Sequence, residues 1–355
     1  MITMEDLLAL MVRKGGSDLH ISVNTPPRIR VDGALVPVNS PPLTPEDTRR
    51  LATSVLTSDQ VARLDRDHEL DCSFELEGQG RFRANVFYQR GSVACVLRLI
   101  PFEILGFDTL GLPLDVCTRL CGLRSGLVLV CGATGSGKST SLAAMIDWIN
   151  HNRQGHIITI EDPVEFSHES RSCLVTQREI GDDSKSFHNA LRSVLRQDPD
   201  VVLVGELRDQ ETIEAALTLA ETGHLTFGTL HTSDAVQTIN RIIDVFPAHQ
   251  QSQVLTQLAF GLEGVFCQQL LPTAQGRGRA MAAEILIATP GIRALIREGK
   301  AHQIYSHLQT GGKSGMRTMA GSLAQLVNES KVRMEDAEHS LSNPQELQSL
   351  VRSVG

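Results

Sequence analysis

LVLVCGATGSGKSTSLAAMIDWI, residues 127–149, passes from an apolar run into a helix-periodic one through eight residues, Gly132 to Ser139. Their pattern, glycine, four residues, then Gly-Lys-Ser, predicts a phosphate loop between a strand and a helix. Gly132, Gly135 and Gly137 permit a tight turn whose backbone N–H groups point inward, above a helix N-terminus that favours anions. Lys138 adds a point charge for the β- and γ-phosphates, and Ser139 a hydroxyl for Mg²⁺. Ala133, Thr134, Ser136 and Thr140 complete the expected nucleotide-binding stretch 132–140, which implies a nucleoside triphosphate as ligand.

Downstream, the sequence alternates strand and helix. Strands are expected at 127–131, 156–160 (HIITI), 201–205 (VVLVG) and 225–230 (LTFGTL). Helices are expected at 138–150, around 184–197, at 209–222 and at 233–243. Continuous apolar strands between helices indicate an α/β domain with a parallel sheet covered on both faces. From about residue 250 the chain reads as mainly helical, with a last hairpin from 270–273 and 280–290.

Upstream lies a different texture. Residues 4–14 predict a short amphipathic helix and GGSDLHISV, PRIRVDG and ALVPV predict strands; a helical stretch capped at Thr44 runs on through TRRLATSVLTSDQVARL. ELDCSFEL, RFRANVFYQ and SVACVLRLI alternate as a hairpin-rich sheet does. The expected organisation is an α+β domain over 1–100, a connection over 101–112 rich in proline and glycine, and the phosphate-loop domain over 113–355, with a helical region from about 290.

Two strand ends carry acid. VVLVGELRD (201–209) places Glu206 where a parallel sheet presents a carboxylate beside a phosphate loop, suited to a hard cation such as Mg²⁺. IITIEDPVEF offers Glu161, Asp162 and Glu165, one of which is the best available general base for an attacking water. His224 and His231 flank the strand LTFGTL; read from residues alone, each is either structural or a group that hydrogen-bonds a γ-phosphate. Cys117 and Cys121, four apart on an expected helix, form the one close pair among seven cysteines; without a second pair or a histidine nearby they read as buried free thiols.

The formal charge of −8 supplies no general attraction for nucleic acid, and none is expected as partner. No run approaches 18 apolar residues, and the first residues carry acid where a secretory signal carries base, so a cytosolic location is expected.

GATGSGKST (132–140), ITIEDPVEF (158–166), VVLVGELRD (201–209) and AETGHLTFGTLHTSDA (220–235) resemble, in that order, the Walker A, Asp box, Walker B and His box of the type II/IV secretion ATPase superfamily. Nearly the whole chain resembles its type IV pilus retraction branch: GGSDLHISVNTPPRIRVDG resembles the opening of a PAS-like domain, and PGIRALIREGKAHQIYSHLQTG (290–311) the AIRAGEL-type helical region, with departures at Gly291 and at Leu295 to Lys300. The resemblance implies a RecA-like P-loop core, ATP and Mg²⁺, and a homohexameric motor for pilus retraction and twitching motility. That motor sits in the cytoplasm at the inner membrane, against a pilus platform protein, with a paralogous retraction ATPase as possible companion. Assembly members carry an extra N-terminal domain and a four-cysteine zinc site; neither is read here, which favours retraction. By the same resemblance Glu165 is the general base, Lys138, Ser139 and Glu206 serve phosphates and metal, and His224 and His231 are the His box histidines. Arg83 and Arg98, with Arg81 behind them, are candidates to reach a neighbouring subunit's nucleotide; from spacing alone they are surface arginines on alternating strands. Three other readings remain open at this point: the accessory paralogue of the retraction ATPase, a nucleic-acid translocase on the same core, and a nonhydrolysing nucleotide-gated module.

Overall fold

The computed structural model describes residues 2–352 except Asp32, Glu77, 101–103, Arg277 and Ser342, with Arg352 described by its backbone alone. The expected connection 101–112 therefore begins outside the described residues. The chain divides into two compact units, Met1–Glu103 with Glu165–Ser167, and Ile104–Val164 with His168–Gly355.

The first unit contains α1 (Met4–Arg13), β1 (Asp18–Ile21), β2 (Arg28–Val31), β3 (Ala34–Pro37), α2 (Pro45–Thr53), α3 (Ser58–Asp67), β4 (Glu69–Leu76), β5 (Gly80–Gln89) and β6 (Ser92–Ile100). Its antiparallel sheet runs β3-β2-β1-β6-β5-β4. One face packs Leu19, Ile29, Phe82, Ala84 and Leu97 against the buried stripe Met4, Leu7, Leu8 and Met11 of α1 and against Leu51 of α2. The helical stretch expected to run unbroken from Thr44 is two helices. Thr57 forms a second capping box, its side chain accepting from the Gln60 N–H, and a threonine with glutamine three residues on restarts a helix rather than continuing one.

The second unit runs α4 (Phe107–Leu110), α5 (Leu114–Cys121), β7 (Gly126–Cys131), α6 (Lys138–Asn152), β8 (His156–Glu161), β9 (Leu174–Glu179), α7 (Phe187–Val194), β10 (Val201–Val204), α8 (Gln210–Glu221), β11 (Leu225–Leu230) and α9 (Ala235–Asp244). It continues through α10 (Ala248–Gly261), β12 (Leu262–Pro272), β13 (Arg279–Ile287), α11 (Pro290–Arg297), α12 (Ile304–Thr310), α13 (Met319–Asn328), α14 (Met334–His339) and α15 (Pro344–Arg352). The sheet order is β13-β12-β7-β11-β10-β8-β9, parallel except for the edge hairpin β12–β13. Every residue of β7, β10 and β11 is buried, as a sheet covered by helices on both faces requires. One apolar cluster joins these strands to α7–α12, and a second joins them to α4–α6.

β9 is absent from the sequence reading. Its burial is intermediate along most of its length and Leu174 is exposed, so LVTQRE lacks the apolar run of a central strand; it pairs with β8 as the sheet's edge. The helix expected around 184–197 is shorter, because Ser186 caps it by accepting from the Asn189 N–H. Cys117 and Cys121 lie buried and unbridged on α5, where burial pushes the Cys117 thiol up to about 12. Among the described residues no helix is long and apolar enough to cross a membrane.

Candidate nucleotide site

β7 ends at Cys131 and the chain turns at once. Gly132 has φ +143, and a Cβ there would meet the Gln268 carbonyl and Ser136 Oγ at 2.5 Å, so backbone and space both require glycine. Gly137, at φ +91, caps α6 without a side chain, leaving the first N–H groups of that helix for a ligand. Lys138 is the first residue of α6, and its Nζ donates to the carbonyls of Gly132 at 2.9 Å and Ala133 at 3.1 Å, across the mouth of the loop. Ser136 Oγ is buried without a hydrogen-bond partner. A loop closed to side chains, a cation spanning its mouth and an unsatisfied buried hydroxyl fit a triphosphate with its metal. Ala133, Thr134 and Gly135 are exposed on the loop, while Ser139 and Thr140 are half-buried in the first turn of α6.

Beyond the loop, β12 reaches past Cys131. Gln268 Nε2 donates to Ser141 Oγ at 2.8 Å, and Ser141 contacts Met281 Sδ at 3.9 Å. Met281 leads into a cleft of about 500 Å³, also lined by Asp108, Arg279, Arg317, Gln325 and Lys331.

On the other side of β7, the ends of β10 and β11 bring Glu206 and His231 together. Glu206 Oε1 lies 3.2 Å from His231 Nε2 and 2.6 Å from Arg208 Nε. Thr229 Oγ1 donates to the Gly205 carbonyl and the Leu207 N–H to the Thr229 carbonyl, which locks the two strand ends side by side. The Glu206 side chain is 20% exposed against 72% for Arg208, so the carboxylate is partly sheltered while the guanidinium paired with it faces solvent.

His224 does not join them. It stands before β11, in line with Gly126 at the start of β7, whereas the phosphate loop follows the other end of β7. Six strand residues separate the two ends, about 20 Å at 3.3 Å each. The His224 ring faces the Leu219 carbonyl and Thr222 Oγ1, both at 3.1 Å, closing the α8–β11 turn. The structure therefore places His224 a strand's length from the phosphate loop of its own chain, in a turn it helps to close, and does not bring it together with Glu206 and His231.

The acidic segment after β8 divides. Glu161 accepts from Thr159 Oγ1 at 2.7 Å and from Gln177 Nε2 at 3.3 Å, which commits it to the sheet edge. Glu165 is exposed and lies in the short stretch 165–167 that groups with the first unit. Both flanks of that stretch are held by β9. Buried Glu179 accepts the Val164 N–H at 3.1 Å, and Gln177 Oε1 accepts the His168 N–H at 2.7 Å. These two residues, with Arg208, are the site-shaping groups that the sequence reading missed. LRD directly after Glu206 was the available signal for Arg208; β9 offered none without the pairing.

In the first unit, register places Arg30, Asp18, Arg98, Arg83 and Ser73 in one row across five strands. Arg83 and Arg98 stand directly opposite, an unfavourable like-charge pair. Asp18 offsets it, accepting from Arg98 Nε at 2.8 Å with Arg30 Nε at 3.8 Å. Burial pushes the Asp18 carboxyl up, but hydrogen bonds from Ser17 and Arg98 outweigh it and hold the group below its ordinary value. Arg81 donates instead to Ser73 Oγ at 2.7 Å, and Arg83 remains exposed.

The chain matches the family described as Type II/IV secretion system protein over residues 2–338. It is 48% identical to the type IV pilus retractation ATPase PilT of Pseudomonas aeruginosa, covering 96% of this chain and 98% of that one, and 44% identical to the type IV pilus ATPase PilU of the same organism, covering 94% and 87%. Among solved structures, the pilus retraction motor PilT with bound ADP superposes with a TM-score of 0.93 at 48% identity, covering 98% of this chain and all of that one. The chain therefore belongs to the Type II/IV secretion system protein family, as an ATPase built on a RecA-like P-loop core.

Proposed function

We propose that this chain is the ATP-hydrolysing subunit of a homohexameric motor that powers type IV pilus retraction and twitching motility. The observation that carries the reading is the joint arrangement of a phosphate loop closed to side chains and the Glu206–His231 pair at the neighbouring strand ends. Near-complete two-way coverage of a retraction ATPase supports retraction as the work performed, and the somewhat lower identity and coverage with PilU favour the principal motor over the accessory one.

In this reading Lys138 and the loop N–H groups hold the β- and γ-phosphates, and the cleft beyond Met281 takes the nucleoside end. Ser139 and Glu206 hold Mg²⁺, which neutralises phosphoryl charge when bound. Glu165, on a segment pinned by Glu179 and Gln177, accepts the proton of the attacking water. His231 shares Glu206 and so registers the charge that changes on hydrolysis. Arg83 and Arg98 are presented to the nucleotide of the next subunit in the ring, where a guanidinium supplied in trans makes each turnover depend on the neighbour. The domains are 1–100, a connection over 101–112, and 113–355. The ring acts in the cytoplasm against an inner-membrane platform protein, with a paralogous retraction ATPase as companion and nucleic acid playing no part.

The test is steady-state ATP turnover by the purified assembly of known mass, beside Lys138→Ala and Glu165→Gln, with the same three chains expressed in a strain lacking its retraction ATPase. Turnover and twitching that both disappear in the variants support the reading. Turnover independent of Lys138 and Glu165, or stimulated by DNA, removes it.

A further inference from the structure

Glu284 is 2% exposed on β13, opposite Cys267 of β12, and belongs to none of the groups described above. Its Oε1 accepts the N–H of Ala235, the first residue of α9, at 2.9 Å, and the backbone of Met319, the first residue of α13, favours the charged form of the carboxylate. A buried carboxylate is costly alone, but two helix N-termini offer it orphan N–H groups and the positive ends of two dipoles.

What these helices lead to gives the contact its interest. α9 starts four residues after His231, and Thr232 Oγ1 lies 2.7 Å from Thr238 Oγ1, tying the intervening loop to the body of α9. α13 is fastened to the sheet by the Ala283 N–H, which donates to Ser322 Oγ at 3.0 Å. It heads an apolar cluster with α14 and α15 through Leu323, Ala324, Val332, Ala337 and Leu347. One side chain therefore spans the gap between the loop carrying His231 and the C-terminal helices.

We propose that Glu284 is a positioning residue whose carboxylate couples the His231 loop to helices α13–α15, transmitting the state of the Glu206–His231 pair without touching nucleotide or metal. The inference rests on the ATPase reading above. Holding both helix N-termini at full strength needs the ionised carboxylate. Burial pushes Glu284 up to about 7, the Ala235 and Met319 N–H groups opposing and Asp234 and Glu346 reinforcing the rise. Among the described residues the titratable groups facing it are Asp234 before α9, Glu346 on α15, Tyr305 on α12 and Cys267 on β12. The coupling accordingly weakens as pH falls through neutrality.

The experiment compares wild type and Glu284→Gln as full-length assemblies, reading kcat and KM from about pH 6 to about pH 9 together with thermal melts. Amide exchange at residues 319–323 is followed with and without a nonhydrolysable ATP analogue. The expected result is a several-fold loss of kcat in Glu284→Gln at alkaline pH with KM unchanged, loss of the limb near neutrality, and loss of the analogue's effect on exchange. A wild-type profile in the variant, or a change in melting temperature alone, overturns the proposal. Should Glu284→Gln fail to assemble, the wild-type exchange decides: a response to the analogue that fades toward pH 6 supports coupling, and no response overturns it. Absence of Lys138-dependent turnover in the wild type removes the motor reading instead, while the exchange measurement, which needs nucleotide binding only, still decides the coupling.

Discussion

At the scale of single residues, the site is governed by steric closure and by which end of a strand a side chain occupies. Gly132→Ala forces a Cβ to within 2.5 Å of the Gln268 carbonyl at a φ that L side chains rarely adopt. The variant should lose about 1–3 kcal/mol of stability by thermal melt and fail to retain a fluorescent ATP analogue. The two histidines should separate cleanly. His231→Ala removes one of the two partners of Glu206 and should lower kcat about tenfold to a hundredfold. His224→Ala loosens the α8–β11 turn and should reduce melting temperature by a few degrees while KM for ATP stays unchanged. Equal kinetic damage from both would contradict the placement of His224 at the far end of β11.

At the scale of elements, caps and an edge strand hold the loops of the candidate site. Asp209 caps α8 immediately after the Glu206–Arg208 segment, accepting the Thr212 N–H at 2.9 Å, so Asp209→Ala should cost about 1 kcal/mol and slow turnover through a displaced Glu206. On β9, Glu179→Ala strips the Val164 N–H of its acceptor and should reduce kcat more than KM, because the stretch it frees carries Glu165. On β13, the raised pKa of Glu284 has a definite sign. The unfolded chain releases this proton near the ordinary value of 4.5 and the folded chain near 7. The group's contribution to stability is therefore present below 4.5 and lost as pH rises through about 7. Melting curves of wild type and Glu284→Gln should diverge across that window, the wild type losing ground as pH rises; parallel curves would show that Glu284 titrates normally.

At the scale of the whole molecule, the two units carry complementary charge chemistry, a phosphate loop in one and a row of arginines braced by Asp18 in the other. If each nucleotide is completed by the next subunit, Lys138→Ala and Arg83→Ala, both inactive alone, should regain activity when co-assembled. Random mixing of equal amounts pairs an intact loop with an intact arginine at no more than about a quarter of the sites. No recovery in assemblies of verified mixed composition would place the arginines outside the site.

The phosphate loop, the strand–helix alternation around it and the acidic strand ends were legible in the sequence because each is a local pattern: glycine where φ is positive, continuous apolar runs in buried strands, carboxylates directly after them. The residue pairs of the candidate site were not local. Glu206 meets His231 only because β10 and β11 are hydrogen-bonded neighbours, and His224 is excluded only because those strands run parallel. The segment bearing Glu165 is held by β9, whose half-exposed edge position erases the hydrophobic signal that betrays a central strand. Glu284, in a run of alanine, isoleucine and leucine, looks misplaced until two helix N-termini 84 residues apart in sequence, at Ala235 and Met319, converge on it. Sequence by itself determined the elements and the ligand class, since these depend on propensity and spacing along the chain. Tertiary structure decided which charged groups meet, because a buried carboxylate is defined by partners that only the packed sheet brings within hydrogen-bond distance.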